Sequence, residues 1–172
     1  LALLGAPAPG LASEPESLVC ERISELTRTY LHKHISFHYV NDKLRQRVID
    51  NYVKRLDPSK SLYLSREITP LKYQVRRSLQ QIWEGDCSAL LEIQEDQIKR
   101  YKSLEKFARS VLADDDYELD PDVVLIIDPD KRAHPRIDET RRELVLKLIH
   151  FQMSNYLSSD MELAEAKEKL IH

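Results

Sequence analysis

Apolar residues recur at threes and fours along most of this chain, the period of an α-helix with one wet face. Val19, Ile23, Leu26 and Tyr30 form the first such stripe, within 18–34, and Pro15 suits the turn that precedes it. The β-branched and aromatic stretch 35–40 breaks the pattern. Asn41 is placed to cap a second helix, on which Leu44, Val48, Tyr52, Val53 and Leu56 share a face. Thr69-Pro70 reads as a cap with proline in the first helical position, followed by Leu71, Val75, Leu79 and Ile82 up to about Glu84. Gly85-Asp86 closes that helix and caps the next. The fourth helix is the longest, with Leu90, Ile93, Gln97, Tyr101, Leu104, Ala108 and Val111 on one face, and it is expected to fold back on the third as a hairpin. Asp114-Asp115-Asp116 ends it, and a proline-containing connector runs to Pro135. Within the connector, 123–127 is a continuous apolar run, expected as a buried strand or a strap across the bundle. A fifth helix over 138–157 carries Leu144, Leu148, Phe151 and Asn155 on one line, and Ser159-Asp160-Met161-Glu162 reads as a capping box for a sixth. The pattern therefore predicts a mainly α fold, an irregular antiparallel bundle of about six helices with one extended segment.

The break after the second helix is the most informative stretch. In Leu56-Asp57-Pro58-Ser59-Lys60-Ser61-Leu62-Tyr63-Leu64-Ser65, Pro58 forbids helical continuation and pushes Asp57 away from the helical region. Asp57 and Ser59 can accept hydrogen bonds from amides that the break leaves open. Leu62, Tyr63 and Leu64 return the chain to apolar surface. This is a structural junction, with no chemistry of its own.

The segment 41–67, NDKLRQRVIDNYVKRLDPSKSLYLSRE, resembles the N-terminal helical region of tail-specific (C-terminal processing) serine proteases. The resemblance continues through 98–112 and 136–147 and covers nearly all of the chain after about residue 17. It implies an N-terminal helical domain over 14–172, followed in the parent by PDZ and protease domains that hold a catalytic Ser and Lys. No stretch here matches that catalytic portion, so no catalytic, cofactor-binding or metal-binding residue is assigned and no cofactor is expected. The implied partners are those remaining domains, protein substrates with unstructured C-termini and a helical adaptor. The implied location is periplasmic or otherwise exported. A stand-alone helical scaffold or adaptor is the alternative.

Composition narrows the field further. At 172 residues the chain can build one domain with a real core. Net charge is −3 with both signs interspersed, which gives no footprint for nucleic acid. The pairs Arg76-Arg77, Lys131-Arg132 and Arg141-Arg142 read as solvated surface. With Gly5, Gly10 and Gly85 as its only glycines, the chain lacks what a phosphate loop, a dinucleotide fingerprint or a Gly-x-Ser-x-Gly elbow needs. No run reaches the roughly 18 apolar residues of a membrane-spanning helix, so stable insertion is not expected. Residues 1–13, LALLGAPAPGLAS, read either as the remnant of an export signal or as a disordered arm. The still amphipathic end at Leu170-Ile171 suggests that the domain continues. Cys20 and Cys87 make neither a zinc site nor a redox motif; in an exported protein they could pair, and the sequence leaves that open.

Few residues suggest chemistry. Ser103-Leu104-Glu105-Lys106 matches Ser-x-x-Lys, but the companion elements of penicillin-recognising enzymes are missing, so the two side chains read as helix neighbours. His32, His34 and His38 are close in sequence, but residues two apart point to different sides of a helix, His34 and His38 share a face only if the helix runs through the break at Ile35, and no Glu or Cys completes a ligand set. Solvated or capping histidines are expected, with a metal sensor as the lesser reading. Asp114–Asp116 with Glu118 and Asp120 lack the central glycine of a calcium loop. Asp128, Asp130 and His134 could form an acid–base cluster, but they are read as turn and surface residues.

Overall fold

A computed structural model describes residues 19–114, 117–120 and 122–171. Six α-helices follow in order: α1 Cys20–Lys33, α2 Asp42–Leu56, α3 Ser65–Trp83, α4 Ser88–Leu112, α5 Asp138–Leu157 and α6 Leu163–Ile171, with a short 3-10 turn at Pro129–Lys131. No strand occurs among the described residues. The mainly α expectation is met, as is the hairpin of α3 and α4, which pack along one another.

Two apolar cores are joined by α4. One gathers Ile49, Val53, Leu56, Leu62, Tyr63, Leu71, Val75 and Ile93 from α2, the junction, α3 and the first half of α4. The other gathers Leu112, Tyr117, Val145, Ile149, Met153 and Ala166 from the far end of α4, the connector, α5 and α6. Leu104 packs against both. At about 1.5 Å of rise per residue, the 25 residues of α4 are long enough to be the shared wall.

The helix ends follow local chemistry. The Asn41 side chain accepts from the Leu44 amide at 2.8 Å, as its position before α2 suggests. Asn41→Ala should therefore cost about 1 kcal/mol of stability, read as a shifted urea midpoint with an unchanged slope. Gly85 sits at φ +81, the left-handed geometry that closes a helix, and Asp86 accepts from the Ser88 backbone and hydroxyl.

Several expectations need correction. Helix α3 begins at Ser65, four residues before the proposed Thr69-Pro70 cap. The Glu67 carboxylate takes the Leu64 N–H at 2.7 Å, the Glu67 N–H returns to the Leu64 carbonyl, and Ser65 N–H reaches the Pro135 carbonyl. Those bonds start the helix early and leave Pro70 inside it. Pro70 deprives the Arg66 carbonyl of its helical partner, but both residues are exposed and water can take that role. Ser159 caps nothing; its hydroxyl donates back to the carbonyls of Asn155 and Tyr156, finishing α5, while Asp160 turns left-handed at φ 61.

Two helices are rotated from their expected faces. In α5 the buried row is Val145, Ile149 and Met153, one to two residues on from the predicted line, and Phe151 is 37% exposed. This helix carries Leu144, Val145, Leu146, Leu148 and Ile149 almost all the way round, so periodicity could not choose the row. On α1 Val19, Leu26 and Tyr30 of the predicted stripe are exposed, Tyr30 by 73%, Ile23 is half-buried, and Ser24 is buried. Cys20, at the start of α1, is bonded to Cys87 at the α3–α4 turn. The pairing left open by the sequence is thus present.

The run 123–127 is neither a strand nor buried. Val124, Ile126 and Ile127 stand largely in solvent. The Asp122 amide donates to the Asp120 side chain before the run and the Asp130 amide to the Asp128 side chain after it, and no strand among the described residues is available to pair with the segment.

Candidate functional site

The most highly organised polar feature is the turn at Asp57. Its carboxylate is buried and accepts three backbone N–H groups, from Ser61 at 2.8 Å and from Leu62 and Tyr63 at 3.1 Å each. Pro58 forces this geometry by ending α2, and the turn tightens through Lys60, whose φ of 55 is left-handed. Leu62, Tyr63 and Leu64 are all buried, as expected of a structural junction.

Side chains from distant elements close over the turn. Gln97 of α4 donates to the Leu56 carbonyl at 3.1 Å. Arg100, also on α4, lies 4.2 Å from the centre of the Tyr63 ring, meets both oxygens of Glu67 and touches the Leu62 carbonyl. Arg141 of α5 donates to that same carbonyl at 3.2 Å, and Arg132 of the connector donates to Ser59 at 2.8 Å. Lys60 answers by donating to the Arg132 carbonyl at 2.7 Å. Arg132 and Arg141 are therefore fasteners, not the solvated pairs read from sequence. Nothing in the sequence marks this role, because the carbonyls they reach on the turn, of Ser59 and Leu62, lie more than 70 residues away.

The electrostatics of the turn follow from burial and pairing. Burial pushes the Tyr63 hydroxyl up to about 12. Burial alone would raise Glu67 too, but Arg100 and the Leu64 amide outweigh it and hold the carboxyl below its ordinary range. His134 stands 3.7 Å from Asp57 and is half-buried. Desolvation lowers its pKa despite the attraction of Asp57, so at neutral pH the contact joins a neutral imidazole to a carboxylate.

This places the proposed Asp128, Asp130 and His134 cluster in three environments. Asp128 accepts from the Asp130 amide, Asp130 pairs with Lys54 at 2.6 Å, and His134 turns to Asp57. The surface reading of His134 is corrected, since the connector folds it against the junction. Because its folded pKa is lowered, its contribution is present above about 6.5 and is lost as pH falls through the folded value. Stability should thus decrease on acidification from pH 7 to 5. In His134→Gln, denaturant midpoints across that range should show a flatter slope.

The remaining candidates are dispersed. Ser103 and Lys106 are exposed on α4 beside a cleft of about 560 Å³ shared with α5, and no hydrogen bond joins them. Lys99 and Arg142 line the same cleft, with Arg142 against the Phe107 ring. His34 Nδ1 accepts the Ser36 and Phe37 amides just beyond α1, a capping role, while His32 and His38 line a separate hollow with Tyr39 and Trp83. Among the described residues, no three His, Cys, Asp or Glu side chains converge as a metal site would require. Of the acidic run, Asp115 and Asp116 lie outside the described residues.

Fold and site together define a helical domain whose buried polar network ties elements to each other. The profile described as "Tail specific protease N-terminal domain" matches residues 26–172, and the chain belongs to that family. It is also similar to the tail-specific protease of Haemophilus influenzae (strain ATCC 51907 / DSM 11121 / KW20 / Rd), with 24% identity over 163 residues, 94% of this chain. The chain spans 23% of that relative's length. No solved structure matches it. Among the described residues, no helix is long and apolar enough to cross a membrane.

Proposed function

We propose that this chain is the non-catalytic N-terminal helical domain of an exported tail-specific serine endopeptidase, with the catalytic serine and lysine carried elsewhere in the parent. Family membership carries the reading. The commitment of Asp57, Arg100, Arg132 and Arg141 to internal bonds supports it, because these side chains are occupied in holding the fold. A disulfide between Cys20 and Cys87 favours an oxidising compartment, which fits export to the periplasm. In the parent, the domain walls part of a substrate cavity and offers an adaptor its exposed apolar side chains, among them Ile35, Tyr39 and Tyr73.

The test uses the full parent chain and a folded substrate with an unstructured C-terminal tail. Ser103→Ala and Lys106→Ala should leave the cleavage rate within about twofold of wild type, since neither acts as nucleophile or base. A loss above a hundredfold with an unchanged melting temperature would move the chemistry into this domain.

A further inference from the structure

The exposed run Val123-Val124-Leu125-Ile126-Ile127 is out of character with the rest of the molecule. Four of its five residues are β-branched, in a fold with no strand among the described residues. Exposure alternates over its first four residues, with Val124 and Ile126 in solvent and Val123 and Leu125 half-buried, and Ile127 is exposed as well. The backbone N–H groups of 124–127 have no hydrogen-bond partner among the described residues, and of their carbonyls only that of Ile126 is engaged, by Arg132. A row of open amides beside β-branched side chains is what an added strand presents.

The flanks indicate what it pairs with. Asp120-Pro121-Asp122 precedes the run and Asp128-Pro129-Asp130 follows it, so the segment reads nearly the same from both ends about Leu125. Two copies in antiparallel register would set Asp122 opposite Asp128 at both ends, and parallel register would set each Asp against itself. Like charges directly opposite are unfavourable, so the sequence opposes self-pairing. The prolines limit the ladder to five to seven residues, an ordinary strand length.

We propose that 122–128 adds as a strand to the open edge of a β-sheet in the remainder of the parent chain, an edge flanked by Lys or Arg that meets Asp122 and Asp128. This rests on the reading that the domain belongs to a longer protease. The matched relative, of which this chain spans 23%, shows that such a protein has ample chain to supply the sheet.

The experiment is hydrogen exchange on the full-length parent, with single proline variants at adjacent positions. Amides of 124–127 should exchange at least about a hundredfold more slowly than in an unstructured peptide. A strand pairs through alternate N–H groups, so one of Val124→Pro and Leu125→Pro should abolish the protection and the other should leave it nearly intact. Free exchange of 124–127, or equal effects of the two prolines, would overturn the proposal. Protection that rises with protein concentration would overturn the assignment to the same chain. Cleavage of a tailed substrate by the same preparation reports separately on the protease reading. Activity with fast exchange removes the strand alone, and slow exchange without activity supports the strand while removing the protease.

Discussion

Asp57→Ala should lower the free energy of unfolding by about 3–5 kcal/mol, the largest loss expected from any single polar side chain in the molecule. The carboxylate serves three amides, of Ser61, Leu62 and Tyr63, in a place where water cannot substitute for it. Each buried donor left unpaired costs roughly 1–3 kcal/mol, and a bond to a charged acceptor lies towards the upper end. Partial relaxation of the turn keeps the total below the simple sum. Asp57→Asn should fall between wild type and alanine, because an amide keeps the shape but offers one acceptor oxygen in place of two. Denaturant midpoints at pH 7 measure both. With domain stabilities of about 5–15 kcal/mol, the alanine variant should also reduce the yield of folded parent enzyme. Turnover per folded molecule should stay near wild type, and a large fall at an unchanged midpoint would mean that the turn communicates with the catalytic centre.

Breaking the Cys20–Cys87 bond should be the second large effect. The bridge spans 67 residues of sequence, and a loop of that size restricts the unfolded chain by about 4 kcal/mol in the chain-entropy account. The loss should be felt first at α1. That helix packs principally on α3, leaves Leu26 and Tyr30 exposed, and has the bridge at its first residue. In Cys20→Ser/Cys87→Ser, amides of α1 should exchange much faster while those of α3 and α4 stay protected near the global rate. Uniform loss of protection across α1 to α4 would show instead that α1 is an integral part of the core.

What the sequence made legible was whatever depends on near neighbours. The ends of α2 at Asn41 and Asp57, the turn at Gly85, and the burial of Leu62-Tyr63-Leu64 all follow from side chains within a few residues of where they act. What it hid depends on distant partners. The bond from Ser65 to the Pro135 carbonyl, the Cys20–Cys87 link and the choice of row on α5, which faces α4 and α6, all involve elements far along the chain. The fastening role of Arg132 and Arg141 was hidden for the same reason, since a guanidinium that binds a backbone carbonyl leaves no pattern in side-chain types. The strap expected at 123–127 failed differently. It was read as a continuous apolar run and therefore as buried, but Val124, Ile126 and Ile127 stand largely in solvent.

The fasteners over the Asp57 turn also bear on the order in which the domain assembles. Lys60 and Arg132, and Leu62 and Arg141, are separated by 72 and 79 residues, whereas the bonds at the ends of α2 and α3 close over three to six. Contacts between near residues form with little loss of chain freedom, and distant ones must wait for the intervening helices to dock. The helical hairpins would then be in place at the barrier to folding, and the arginine clasp would shut after it. A clasp that closes after the barrier does little to speed assembly and mainly delays escape, so its arginines act on the lifetime of the folded domain.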